Sequence, residues 1–385
     1  MTTDLDIDTE TGTGSADTTS QAQTDTRVGT LINSINATNF ADWYREREFA
    51  RNIRDGQPYF NGPDRIPTPG RHSPSQLNQC HRKIYYRQLN APEEQPAPRG
   101  IFWTGTRFEE ELVMPYLEAA VGSDEYVRNS MWIDITCVTD AGEIRIKGAT
   151  DPVIVDPESE PLLLTESKTK SSVESLDEPD AHHKAQVHAY MYGLTQEYDR
   201  QVTDAVLLYG SRTSLDIRVF HVPFDPWFWR EVVLNWAGQH TQYRLDETLP
   251  PAAPEFEWEC EVCDYSHRCG QANDTQFRDI GAEGLLPRFG DYPREKVIEY
   301  LAGHAGAKLT PRLAHEYPSL VDDHGVYDWV CEVCGKRQPW GDVDWEGPLS
   351  EPPDCHVCAS DGILASLSGL GPSTQHELME ETADA

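Results

Sequence analysis

The chain has 385 residues, a length for two or three domains. Its 65 Asp and Glu outnumber 32 Lys and Arg, for a formal net charge of −33, and that balance argues against a polyanionic partner. Ten Trp and 38% hydrophobic residues can fill real cores, while no apolar run approaches the roughly 18 residues of a membrane span.

Residues 1–27 are acidic and Thr-rich, and predict a disordered tail without a secretory signal. Residues 28–72 predict an N-terminal helical and loop region, with a helix around 41–55 and a loop punctuated by Pro63, Pro67, Gly70 and Pro74. A helix follows from 75 to about 89, capped by Ser73 or Ser75. Another spans 105–121, with Phe108, Leu112 and Tyr116 on one face and an interruption near Pro115. The period then changes to two. Residues 132–138 and 143–147 flank the turn Asp140-Ala141-Gly142, and 151–155 and 162–168 flank a turn over 156–161. A helix over 178–199, with Pro179 in its first turn, aligns Val187, Met191, Leu194 and Tyr198. Strands at 205–209 and 216–221 precede a Trp-rich helix from 226 to about 245, then a Pro-rich linker at 249–254. Beyond Cys269 a new unit is expected over 280–363, with helices at 293–303 and 311–316, followed by an acidic tail at 364–385.

The nine cysteines are grouped. Cys331-x2-Cys334 and Cys355-x2-Cys358 each offer two thiolates to one tetrahedral ion, with Gly335 making the tight turn after the first pair. This pattern predicts a structural zinc ribbon. Cys260-x2-Cys263-x5-Cys269 supplies three ligands and needs a fourth. Cys80 is the natural candidate, since Cys137 lies in a predicted strand as a small hydrophobe. Four thiolates suit zinc or an iron–sulfur cluster, and His267 could replace a Cys in a zinc site.

The second hairpin carries the chemistry. A symmetric register about its turn places Asp151 opposite Glu166, and alternation puts Lys168 on the Glu166 face. Opposed carboxylates repel unless a cation lies between them, and hard oxygens suit Mg²⁺ or Mn²⁺. Gly148-Ala149-Thr150 gives small residues where a substrate backbone could approach. Gln186-x3-Tyr190 on the following helix could hold a phosphate or base.

Gly148-x-x-Asp151, Glu166-x-Lys168 and Gln186-x3-Tyr190 resemble the motifs of RecB-type PD-(D/E)XK nucleases. Cys80 with Cys260, Cys263 and Cys269 resembles the iron–sulfur frame of their CRISPR-associated and helicase–nuclease exonuclease subgroup. The resemblance covers about residues 73–270. It implies an α/β fold, a restriction-endonuclease-like mixed sheet flanked by helices, to which the small helical and zinc-ribbon unit is added. It implies that Asp151 and Glu166 bind the metal, that Lys168 positions or activates water, and that Gln186 and Tyr190 contact DNA. It also implies a structural 4Fe–4S cluster, with zinc as the alternative. Where the family places a metal-binding His after Gly-x3, this chain has Gly105-x3-Glu109, followed by Glu110 and Glu111. Glu109 would then be a third carboxylate ligand.

The expected function is a metal-dependent DNA exonuclease acting on single-stranded or end-bearing DNA in repair, recombination or CRISPR spacer acquisition, with CRISPR-adaptation or helicase proteins as partners. A non-catalytic binding module on a degenerate nuclease fold is the alternative, and a zinc-ribbon regulator a weaker one. Only eight of the 32 basic residues are Lys. With the distributed acidic charge, this predicts a halophilic, cytoplasmic protein kept soluble where salt screens repulsion. The charge is also uneven. Residues 65–92 contain five basic residues and no acid, so Arg82, Lys83 and Arg87 become candidate DNA contacts. Trp227, Trp229 and Trp236 could stack on bases, and His182, His183 and His188 could bind metal, though a Trp-rich helix is more often core and such histidines more often belong to a polar helix surface.

Overall fold

The computed structural model describes residues 27–54, 65–96, 98–198, 200–273 and 276–383. Most of the predicted N-terminal tail and Pro63 lie outside these residues. The chain divides into two units, Met1–Asn61 and Gly62–Ala385. In the first, helix α1 (Ala37–Arg54) carries exposed Phe40 and Trp43, whose rings lie 5.9 Å apart. No described helix is long and apolar enough to cross a membrane.

The described residues of the second unit form three sheets, two of which build the region around the carboxylates. The first has the order β1 (Arg71–His72), β4 (Gly142–Ala149), β3 (Trp132–Thr139), and β3 and β4 form the expected hairpin. Gly142 closes its turn at φ +100°, a conformation that favours glycine. The second sheet runs β2 (Tyr126–Arg128), β5 (Val153–Val155), β6 (Pro161–Lys170), β7 (Asp204–Ser211), β8 (Ile217–Pro223). Its β6 and β7 are parallel and the other pairs antiparallel, so the sheet is mixed and the architecture is that of a restriction-endonuclease-like fold. A parallel pair needs a crossover.

Four helices matter here: α2 (His81–Gln88), α3 (Arg99–Phe108), α4 (Met114–Ala120) and α5 (Ala181–Glu197). Helix α5 is the β6–β7 crossover. One side of it, with Val187, Met191 and Leu194, packs into the core of the five-stranded sheet. Another, with Ala185 and Ala189, meets Ile135, Ile146, Trp229 and Trp236. A helix covered on two sides is buried nearly throughout, as expected of a central element. Trp229 and Trp236 are therefore core residues, while Trp227 is exposed.

Several element boundaries differ from expectation. The predicted 75–89 helix is broken into a 3-10 turn at Pro74–Gln76 and α2, because Asn78 adopts a left-handed φ of 58°. Cys80 is thereby the residue that caps α2. Helix α3 begins at Arg99, earlier than expected, and leads through a π segment (Glu109–Val113) into α4. Pro115 lacks an amide and crowds the carbonyl four residues before it, and the widened turn accommodates this. Helix α5 starts after Asp180, so Pro179 precedes the cap instead of entering the first turn.

Helix α6 (Asn235–Leu245) packs Trp236 and Ala237 into the core that α5 shares with the hairpin sheet. The C-terminal part contains helices α7 (Arg294–Gly303), α8 (Pro311–Glu316) and α9 (Pro372–Ala383), and a three-stranded ribbon ordered β10 (Arg337–Gln338), β9 (Trp329–Cys331), β11 (Leu367–Ser368). The expected acidic tail is in fact folded. β11 completes the ribbon, and Gln375 of α9 bonds the amide and carbonyl of Leu285 at 2.8 and 2.7 Å. Acidic residues on the exposed side of α9 hid buried Gln375 and Met379 from a compositional reading. This part packs directly on the cysteine segment. Buried Arg268 donates to the carbonyls of Gly281 and Gly284, both at 2.5 Å, and Tyr86 donates to Ile280 O at 2.6 Å.

Candidate active site

Strand β6 brings Glu166 and Lys168 to one face, two residues apart, as alternation requires. Glu166 is 1% exposed. Its Oε1 accepts from Lys168 Nζ and from Gln186 Nε2, the latter at 2.8 Å. Its Oε2 is buried and has no hydrogen-bond partner. Gln186 stands on α5 one turn before Tyr190, whose hydroxyl donates to Ala149 O at 2.6 Å. That bond ties α5 to the end of β4, just ahead of Asp151.

The predicted register holds where the ladder exists. Val153 pairs with Leu164 and Ile154 with Leu163, and the shift to Val155–Pro161 falls on the turn side. The ladder does not reach Asp151, because β5 begins only at Val153. Asp151 is instead held by its own carboxylate, whose Oδ2 accepts from Ser167 N at 2.8 Å and Ser167 Oγ at 3.0 Å. Ser167 was not singled out in the sequence, although its place between Glu166 and Lys168 on the opposite pleat is the available signal. Gly148 also has a different reason from the one expected. A Cβ there would lie 2.8 Å from Pro74 Cδ, so its smallness serves packing against Pro74.

Glu109 arrives from the π segment after α3. Phe108 covers Gly210 of β7, where a Cβ would lie 2.3 Å from the ring, and Gly105 faces Thr169 Oγ1 of β6. The close approach at Gly210 and the ordinary contact at Gly105 seat the helix over the end of β6. Burial pushes the Glu109 carboxyl up to about 7, with Asp151 and Glu110 adding repulsion. Burial also pushes Glu166 up to about 8; Lys168 opposes this, and Asp151 and Glu109 reinforce it. Burial alone would lower Lys168, but Glu166, Asp151 and Glu109 outweigh it and hold the ammonium above its ordinary value. Three carboxylates face one ammonium, and one carboxylate oxygen is orphaned. That is a negative excess of hard oxygen donors, the environment that Mg²⁺ or Mn²⁺ satisfies. Asp151 and the free oxygen of Glu166 fit such an ion. The full set with Glu109 is open, since the three carboxylates do not lie within 4.8 Å of one another.

A neighbouring cluster joins two of the histidines that the sequence offered as metal ligands to an acid it did not single out. Asp180, His182 and His183 bring ligand atoms within 4.8 Å of one another. Lys170 Nζ already bonds both oxygens of Asp180, at 2.9 and 2.8 Å, and His183 Nδ1 lies 2.8 Å from Tyr209 OH. These contacts fasten the start of α5 to β6 and β7. His188 is also a core residue, its Nε2 accepting from Asp225 N at 3.0 Å.

The two cysteine groups differ in geometry. In the ribbon, the Cys331 and Cys358 sulfurs are 3.6 Å apart, and those of Cys334 and Cys355 are 3.8 Å apart. Tetrahedral zinc with bonds of about 2.3 Å sets its sulfurs about 3.8 Å apart. Cys80, Cys260, Cys263 and Cys269 line a single recess. They do not gather within the 4.8 Å that the ribbon sulfurs meet. His267 is not a substitute ligand, because its ring packs on Phe289 at 4.7 Å. Among the basic candidates, Arg82 is buried, donating to Pro250 O at 2.6 Å and bonding Asp279 and Cys269. It serves the cysteine segment and does not reach a strand in solvent. Lys83 lines the same recess, and Arg87 lies 3.7 Å from Asp264.

No curated protein matches this chain. Among solved structures, the crystal structure of SSO0001 is similar at 16% identity, with a TM-score of 0.36, over 52% of this chain and 86% of that one. At that score it adds nothing to the argument. Residues 85–270 match the family model of the PD-(D/E)XK nuclease superfamily, a span that includes Glu109, Asp151, Glu166, Lys168, Gln186 and Tyr190. The five-stranded sheet, its crossover helix and the carboxylates of β6 all lie within residues 85–270, which thus match a PD-(D/E)XK nuclease superfamily domain over just under half of the chain.

Proposed function

We propose that this chain is a metal-dependent DNA exonuclease of the RecB type, hydrolysing phosphodiesters at single-stranded or end-bearing DNA. The observation that carries the reading is Glu166, a buried carboxylate with Lys168 and Gln186 on one oxygen and nothing on the other. Asp151 and Glu166 would hold Mg²⁺ or Mn²⁺, with Glu109 as the third carboxylate. When bound, the ion supplies Lewis-acid polarisation of a phosphoryl oxygen. Lys168 orients the attacking water and offsets the charge that develops as the P–O bond to the leaving oxygen breaks. Gln186 keeps the free oxygen of Glu166 in place, and Tyr190 anchors the segment leading to Asp151. Gln186 and Tyr190 border the path of the DNA, and Lys83 and Arg87 would meet its backbone beyond the site.

The Cys80, Cys260, Cys263 and Cys269 set is assigned to a structural 4Fe–4S cluster, with zinc as the alternative. The spread of these sulfurs supports the larger inorganic core. The ribbon is assigned one structural Zn²⁺. The acidic surface suits a halophilic cytoplasm, and repair, recombination or CRISPR spacer acquisition, with adaptation or helicase partners, would supply the DNA ends.

The test is digestion of end-labelled single- and double-stranded DNA with Mg²⁺ or Mn²⁺ in molar KCl. Wild type shortens the label and Asp151→Ala does not. Equal digestion by both proteins, or none by a fully metal-loaded wild type, overturns the reading.

A further inference from the structure

Helix α3 has a face that stops short of its own sheet. Where Gly105 and Phe108 meet β6 and β7, the helix is covered. One to two turns earlier it is bare, with Ile101 47%, Phe102 66% and Trp103 48% exposed. Consecutive helical residues point about 100° apart, so these three wrap about 200° of the helix, and large apolar side chains left in solvent over so much of a surface mark an interaction site. Its direction matters. Residues seven apart in a helix differ by only about 20°, so Phe102 lies on the same face as Glu109. The separation along the axis is about 10 Å. Phe102 therefore continues the line of the carboxylate site, and Trp103 stands about 100° to its side.

We propose that this face of α3 is a stacking platform for the bases of single-stranded DNA entering the site, with Phe102 its principal contact and Trp103 its flank. The proposal rests on the nuclease reading for its occupant. Three observations favour a nucleic acid strand over a protein. Phe102 shares the helix face of Glu109, whose carboxyl is close enough to Asp151 and Lys168 to feel their charges. Residues 95–108 contain Arg99 and Arg107 and no acid, in a chain with 65 acidic residues. Arg107 lies 5.9 Å from the Trp103 ring centroid, presenting a cation and a π face together, although it also pairs with Glu110 at 2.8 Å. Ion pairing with phosphates is a poor source of affinity for a protein of net charge −33. Stacking on aromatic rings is largely insensitive to salt and accepts any base. At about 3.4 Å or more per nucleotide, a base on Phe102 would sit two to three nucleotides from the scissile phosphate. A closed duplex keeps its bases paired and offers this surface no free base face, so the platform selects single strands or frayed ends.

The test is binding, which is independent of hydrolysis. The full-length chain is titrated into a fluorescein-labelled oligothymidine, or a blunt duplex of the same length, in molar KCl with EDTA, and anisotropy is read. Phe102→Ala should weaken oligothymidine binding by about 5- to 150-fold, the equivalent of about 1–3 kcal/mol for one stacked base. Phe102→Trp should retain it, the duplex should be indifferent to the substitution, and Leu364→Ala, an exposed apolar residue elsewhere, should bind as wild type. Unchanged oligothymidine binding by Phe102→Ala overturns the proposal, as does an equal loss for the duplex. A fall from dimer to monomer in light scattering, with oligothymidine binding intact, would assign the row to a second copy of the chain and also overturn it. If wild type cuts no DNA yet Phe102→Ala loses the oligothymidine, the platform stands and the nuclease reading falls.

Discussion

Replacing Glu166 by Gln should uncouple the stability of the metal-free protein from pH while ending hydrolysis. In the fold, burial raises the Glu166 carboxyl to about 8 from an ordinary 4.5. A raised carboxyl stabilises the fold fully only below its unfolded value. Above about 4.5 the unfolded chain releases the proton first, and the contribution is lost progressively until the folded group ionises near 8. At about 1.4 kcal/mol per pH unit, the gap amounts to about 5 kcal/mol as an upper bound. Lys168 bonds Glu166 and shares in this balance, so roughly 2–3 kcal/mol is the figure to expect. For a unit as large as Gly62–Ala385 that is a Tm change of about 5 °C. The assay is thermal unfolding of wild type and Glu166→Gln after chelation, between pH 6 and 8.5, then again with Mg²⁺. Wild type should lose Tm relative to the variant as pH rises. It should recover with Mg²⁺, by about 2.7 kcal/mol at a hundredfold excess over Kd. The variant should show neither effect. If metal-free Glu166→Gln falls with pH as steeply as wild type, or gains as much from Mg²⁺, then Glu166 neither titrates with its burial nor holds the ion.

Two other consequences can be measured. Gly210→Ala should drive the Phe108 ring, and with it Glu109, off the end of β6, because the new Cβ would lie 2.3 Å from the ring. Overpacking there costs about 1–3 kcal/mol, and a displacement of about 1 Å at the site costs up to about a hundredfold in kcat; adding Phe108→Leu should restore part of the loss. In metal analysis and visible spectroscopy, Cys331→Ser should lose one zinc and keep the iron–sulfur absorption, while Cys80→Ser should do the reverse. A colourless wild type carrying two zinc ions would assign zinc to both cysteine sets.

Much of the site was legible because its chemistry is local. Glu166 and Lys168 share a face by strand alternation, and Gln186 and Tyr190 by helix periodicity. The Cys331, Cys334, Cys355 and Cys358 set is self-contained, since each pair needs only a short loop to meet the other. The register about the second hairpin was right for Val153 and Leu164, since both strands there bury alternate apolar residues. It failed at Asp151, where a side-chain bond to Ser167 replaces the ladder.

What the amino-acid sequence determined by itself is thus the identity of the reactive groups, the order of strands and helices, and the acidic character of the surface. What only the tertiary structure decided depends on contacts between distant segments. Arg82 looked like a surface cation in an acid-free stretch, but Pro250, Cys269 and Asp279 turn it inward. The C-terminal tail looked polar, but Leu285 and Leu370 bury Gln375. Helix α3 was expected only from residue 105, and the packing of Phe108 on Gly210 shows which part of it is covered and which part, at 101–103, is left open. Periodicity reports that a face is apolar; the chain that returns from far away in sequence determines whether that face is buried.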